Sequence, residues 1–180
     1  MARNGKSFIS EPLLARTTQK LIQVISVPVY DNNHQIIGVL SADIDGLWLS
    51  RQIEDIVVGK TGNCYIMGNT GIIIADTDTN LVKSQVNIIE QAKTNTALTS
   101  AAVFLDHVLD TDESEVGYYT YQDTAYISSF ATMKTTDWSV IIRTPVNEFM
   151  GTVNSLRIRM YITGIIILLI ALVIIFFIAR

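Results

Sequence analysis

Gly59-Lys60-Thr61 is the string in this chain most suggestive of catalysis, because a phosphate-binding loop ends in the same way. The rest of that loop is missing: the position of its first glycine holds Glu54, and a helix rather than a strand is expected in front of it. Asp76, Asp78 and Asn80 have the opening spacing of a calcium loop, yet Leu81 stands where the sharp-turn glycine belongs and Asn87 where the bidentate glutamate belongs. A solvated polar loop after a strand is expected there instead. His34 and His107 lie far apart, neither near a cysteine, so zinc ligation has no support. Cys64 falls inside an expected strand with no His or Asn motif around it, and no G-x-S-x-G elbow occurs. These patterns predict a protein that is no enzyme and holds no cofactor and no metal.

Ligand binding is the chemistry left. Asp43 closes an expected strand among Val39, Leu40 and Ile44, and a carboxylate buried in such company needs a cation or a hydrogen-bond donor. It could equally help Asp45 cap the helix that follows. Farther along, Tyr65, Asp76, Tyr118, Tyr126 and Arg143 could line a second pocket, although strand aromatics also serve as core and an arginine on an outer strand face as solvated surface. Asp43, Tyr65, Asp76 and Tyr126 are the candidate ligand contacts.

Composition narrows the class of partner. A net charge of -4 and a pI near 5.1, with no stripe of Lys and Arg, exclude nucleic acid. One cysteine allows no internal disulfide, so packing alone must hold the fold. The uncharged run Tyr161–Ala179 would cover about 28 Å as a helix, the thickness of a hydrocarbon core, and is expected to cross a membrane. Met1 to Lys6 carries no signal peptide or anchor, so an upstream anchor is expected unless the polar part stays inside.

The elements that would position these residues follow from periodicity. Lys20–Val29 and Ile36–Ile44 read as antiparallel mates around the turn chemistry of Asp31, Asn32 and Asn33. A lone hairpin is marginal, so it is expected to be the tail of a larger sheet. With Asp45 as N-cap, Leu49, Ile53, Ile56 and Val57 give one helical face that Gly59 ends. Asn63–Met67 and Gly71–Ala75 flank a tight turn, Ala97–Leu109 shows helical spacing, and strands are expected at Glu115–Tyr121, Ala125–Met133 and Trp138–Thr144. The result is an α+β lobe, an antiparallel five-stranded sheet with helices packed on it, as in PAS-like sensors. Thr144 and Pro145 should then start a helix running without a break into the apolar run, a rod about 50 Å long.

Taken in order, Ile9-Ser10-Glu11-Pro12, Val27-Pro28-Val29-Tyr30-Asp31, Ile37-Gly38-Val39-Leu40-Ser41-Ala42-Asp43-Ile44, Val58-Gly59-Lys60-Thr61-Gly62-Asn63-Cys64-Tyr65 and Gly71-Ile72-Ile73-Ile74-Ala75 resemble the double Cache sensor domains of bacterial chemoreceptors. Phe176–Arg180 is similar to the junction where such receptors enter a HAMP linker. The resemblance implies residues 1–44 as the last hairpin of a truncated membrane-distal lobe, 45–144 as a membrane-proximal Cache lobe, 145–159 as a juxtamembrane helix and 160–179 as a transmembrane helix. In amino-acid-sensing members a Tyr and an Asp follow the Glu-Pro pair; here Leu13, Leu14 and Ala15 do, and only Asp43 matches that set. The implied protein is an extracytoplasmic sensor held in the cell membrane by a single span in this stretch. Its expected partners are a small-molecule ligand, the membrane, a second copy in a homodimer and chemotaxis proteins reached through an output domain after Arg180. A histidine kinase or cyclic-dinucleotide enzyme as output, or a tethered binding subunit with none, are the alternatives.

Overall fold

The computed structural model describes residues 2–148 and 156–168, and its first sheet forms around one β-branched run. Short strands β1 (Phe8–Ile9) and β2 (Leu13–Leu14) share one edge of β3 (Leu21–Tyr30), while β4 (Ile36–Asp45) pairs along the other, all antiparallel. The Asp31 carboxylate closes the β3–β4 turn by accepting from the Asn33 and Gln35 amides, both at 2.8 Å. The expected hairpin is therefore part of a four-stranded sheet. Its outer strand β4 is exposed along its length, with Ile37 66% and Leu40 64% accessible.

The second sheet carries the larger core. It follows α1 (Trp48–Ile53) and consists of β5 (Val57–Val58), β6 (Gly62–Met67), β7 (Ile73–Ala75), then, after helices α2 (Thr79–Lys83), α3 (Ile88–Ala92) and α4 (Thr99–Asp110), β8 (Glu115–Tyr121), β9 (Thr124–Thr132) and β10 (Ser139–Pro145). The order is β5-β6-β10-β9-β8, with β7 also paired to β6, so the sheet has six strands where five were expected. The additional strand, β5, uses Val57, which continues the helical spacing of α1 in sequence, and Val58; the two pair with Asn63 and Gly62. Asp45 does not cap α1 through its first turn in the expected way: Leu47 is the N-cap, and Asp45 accepts from the Leu47 amide and pairs with Arg51 at 2.6 Å.

Strand register sorts the sheet into two faces. Residues paired across β6, β10, β9 and β8 put Tyr65, Met67, Ile141, Phe130 and Tyr119 on one face, where they pack against Leu105, Val108 and Phe104 of α4. Phe104 can lie flat on β8 because Gly117 has no side chain; a Cβ there would stand 2.7 Å from the ring. The opposite face buries Cys64, Ile66 and Trp138 with Ile53 of α1.

The two sheets are tied together at the turn between β6 and β7 and at the connection between α2 and α3. Glu11 accepts from the Thr70 amide at 3.2 Å and from its hydroxyl at 2.6 Å, while Gln85 donates to the Pro12 carbonyl at 2.8 Å. Glu11→Ala is expected to lower the unfolding free energy by about 1–2 kcal/mol, since hydrogen bonds to a charged acceptor are lost. A double-mutant cycle with Thr70→Ala in urea checks it, and the two losses should overlap rather than add.

The transmembrane expectation is corrected. Among the described residues no helix is long and apolar enough to cross a membrane. Residues 156–168 are helical and exposed. The rest of the apolar run, from 169 onward, lies outside the described residues, as do 149–155 of the expected continuous rod. The fold described is thus an α+β, PAS-like sheet-and-helix architecture with no membrane-spanning helix among the described residues, and the expected single-span localisation is not supported by any helix among them.

Candidate functional site

Alternation along β10 sends Arg143 to the same face as Ile141, toward the helices rather than toward solvent. There its side chain is only 14% exposed. Its guanidinium carbon lies 5.0 Å from the ring centre of Tyr65, 5.4 Å from that of Tyr126 and 5.7 Å from that of Tyr121. An arginine enclosed by aromatic faces gains cation–π attraction that grows as water is removed, up to about 2 kcal/mol per favourable ring. The same position gives it polar partners: Nε donates to Asn63 Oδ1 at 2.9 Å, and Nη2 lies 3.8 Å from Asp76 Oδ2.

Asp76 reaches this cluster from the end of β7, and its side chain is 1% exposed. Its Oδ1 accepts from the Asp78 amide at 2.9 Å, the Thr77 hydroxyl at 3.2 Å and Asn63 Nδ2 at 3.4 Å, whereas Oδ2 has no hydrogen-bond partner. Burial pushes the carboxyl above its ordinary value of 3.8, against the opposing pull of the Asp78 amide and the Arg143 charge. Burial likewise pushes the Tyr65 and Tyr119 phenols up, so both remain neutral O–H groups, 3.5 Å apart. Tyr119 in turn stacks on Phe104 at 4.8 Å and on Tyr126 at 5.7 Å, which fixes the wall of the enclosure. The arrangement offers a flat cation, neutral hydroxyls and one carboxylate oxygen looking for a donor.

Tyr65, Asp76, Tyr126 and Arg143 therefore meet in one place. Tyr118 does not: it is 69% exposed on the opposite face, one residue out of step with Tyr119. Asn63, Tyr119 and Tyr121 belong to the cluster and were missed, although strict alternation in β6 and β8 would have put them beside Tyr65 and opposite Tyr118. Asp43 stands apart. It is exposed on β4, opposite Val24, and lines an open groove of about 650 Å³ with Leu14, Lys20, Leu21 and Lys83, so the cost of burying a carboxylate does not apply to it.

The other strings take local structural parts. Asp78 caps α2 by accepting from the Asn80 amide at 3.0 Å, which uses the oxygens a calcium loop would need. His107 meets Glu115 at 3.0 Å, and Cys64 is wholly buried on the α1 face with its thiol pushed up by desolvation. Among the described residues no group of His, Cys, Asp and Glu has the geometry to hold a metal ion.

Comparison with known proteins agrees with this architecture. The family described as the Cache domain matches residues 1–153. Among solved structures, an extracellular domain assigned to the histidine kinase mmHK1S-Z3 superposes with a TM-score of 0.63 at 13% identity, covering 85% of this chain and 54% of that one. The ligand-binding domain of Mlp24 with asparagine gives a TM-score of 0.54 at 17% identity, covering 84% and 56% respectively. That of the Pseudomonas aeruginosa PAO1 amino acid chemoreceptor PctB in complex with L-Gln gives 0.56 at 17% identity, covering 81% and 54%. The chain thus spans little more than half the length of these neighbours, and the likeness is one of fold. No protein of curated function matches.

Proposed function

Because the chain belongs to the Cache domain family, we propose that it is part of an extracytoplasmic small-molecule sensor that serves a chemoreceptor and passes a binding signal along the segment after Pro145 to an output domain. Residues 1–44 are then the remnant of a distal lobe and 45–144 a proximal one, working in a homodimer whose output engages chemotaxis proteins. The observation that carries the reading is the enclosed Arg143 beside a carboxylate oxygen of Asp76 that lacks a partner. Apolar residues often replace a buried charge pair of this kind at equal or better stability, so core packing alone gives little reason to keep one. A ligand with both a carboxylate and an ammonium group supplies what is missing: the carboxylate for the guanidinium fork, the ammonium for Asp76 Oδ2. The ligands of two neighbours, asparagine and L-Gln, are of that class. The likeness to a histidine kinase's extracellular domain supports a second reading, the same sensor with a kinase output.

Calorimetric titration of the whole chain with the L-amino acids, and with matched carboxylates lacking the amine, tests the proposal. At least one amino acid should bind, with the preference over its amine-free analogue reduced tenfold or more in Asp76→Asn, roughly what one charge-assisted hydrogen bond supplies. Absence of binding by every compound, or binding that Asp76→Asn and Tyr126→Phe both leave unchanged, overturns it.

A further inference from the structure

Gly59-Lys60-Thr61, rejected above as a phosphate loop, binds an oxyanion all the same, and the anion belongs to the chain itself. In the turn between β5 and β6 the Lys60 amide donates to Glu148 Oε2 at 2.6 Å, the Thr61 amide donates to Oε1 at 3.0 Å, and the Thr61 hydroxyl donates to Oε1 as well. Successive backbone N–H groups turned toward one point form an anion-binding nest. Gly59 makes this one possible: its φ is +71°, and a Cβ on it would stand 2.6 Å from Glu148 Oε2. The partners are 87 and 88 residues apart in sequence, yet Asn63 pairs with Arg143, so the contact pins the first helical turn after β10, residues 146–148, to the turn that opens the neighbouring strand β6.

We propose that Glu148 in the Gly59–Gly62 nest is a releasable latch, holding the start of the C-terminal segment against the lobe, and that its opening is the step by which the two move relative to each other. Three features describe how the latch is held and how it can open. Glu148 and both of its partners lie at the exposed end of the lobe, where hydrogen bonds exchange with water at small net free-energy difference. The nest holds the Glu148 carboxyl below its ordinary range, through the Thr61 hydroxyl first and the Lys60 amide next, so the anion is the bound form. Beside it the Thr144 hydroxyl oxygen is buried without a partner, one residue from Arg143 on the same strand. A shift of β10 that moves Arg143 thus moves the latch as well.

Hydrogen exchange of the whole chain tests this without any ligand, so the outcome is separable from that of the sensing proposal. In Glu148→Ala the Lys60 and Thr61 amides and those of 156–168 should exchange about tenfold faster or more, while Tyr65 and Ile141 in the core strands keep their rates. Glu148→Gln, which keeps one acceptor oxygen, should fall between. Unchanged rates at Lys60 and Thr61 overturn the latch, as do unchanged rates over 156–168. Equal acceleration at Tyr65 and Ile141 also overturns it, since the contact would then be a staple for the whole lobe.

Discussion

Replacing Arg143 by alanine is expected to destabilise the second sheet by about 3–5 kcal/mol, the loss seen when one partner of a buried charge pair is removed and the other stays. For a chain of this size the melting temperature should fall on the order of 10 °C. The Asp76 carboxylate would be left 1% exposed with no cation nearby, Asn63 Oδ1 would lose its donor, and the space between Tyr65, Tyr121 and Tyr126 would empty. The same carboxylate sets an unusual pH dependence. Its folded value lies above the 3.8 of an unperturbed carboxyl, so the folded state binds the proton more tightly than the unfolded chain. Stability from this group is full in the protonated form at low pH and declines as pH rises from about 3.8 through the folded value. Asp45, held low by the Leu47 amide, works the other way, its contribution present above the unfolded value and lost as pH falls. Urea denaturation between about pH 3 and 7 should therefore show a steeper rise in stability with pH for Asp76→Asn than for the parent chain. An identical pH profile for the two would mean that Asp76 is not desolvated.

Arg143 was legible in the sequence as a residue but not as a site, and the reason is register. A strand says which residues share a face, whereas only its neighbours say which face is covered, and a slip of one residue inverts the answer. Tyr118, which could line a pocket by residue type, is one residue out of step with Tyr119. What settles the matter is Gly117, whose missing side chain admits Phe104 of α4 and so makes the Gly117, Tyr119 and Tyr121 face the inner one. The long periodic elements, β3, β4, α4, β8 and β10, were readable because period-2 and period-3.6 patterns last long enough to be told apart. Val57 satisfied both patterns, and its pairing with Asn63 decided for strand. Helices α2 and α3 are too short for a period, and their caps were the available signal: Asp78 and Asn87 accept from the Asn80 and Glu90 amides. Glu148 had no local signal at all, since its partners Lys60 and Thr61 are 88 and 87 residues away in sequence and meet it only through the pairing of β6 with β10.

Gly62→Ala is expected to have a comparably large effect, and for a reason that lies entirely in the backbone. A Cβ at Gly62 would stand 2.6 Å from Thr144 Cβ and 2.7 Å from the Arg143 carbonyl oxygen, and closer still to the Val58 carbonyl oxygen. Two of those three neighbours are main-chain atoms of strands paired to β6, which cannot swing aside as a flexible side chain would. Relief requires β5 or β10 to move, so the loss should reach the upper end of overpacking, about 3 kcal/mol or more. Because β10 carries Arg143, Tyr65 and Tyr126 should lose their ordered ring environment, read as a loss of near-UV dichroism at temperatures where the far-UV signal persists. Gly38→Ala is the matched control: nothing lies within 4 Å of the added methyl, which should leave stability unchanged or raise it by about 0.4–1 kcal/mol through the unfolded chain. Equal melting curves for the two variants would show that the β5–β6 turn yields freely. The close approach of three strands at Gly62 would then not be what positions the arginine.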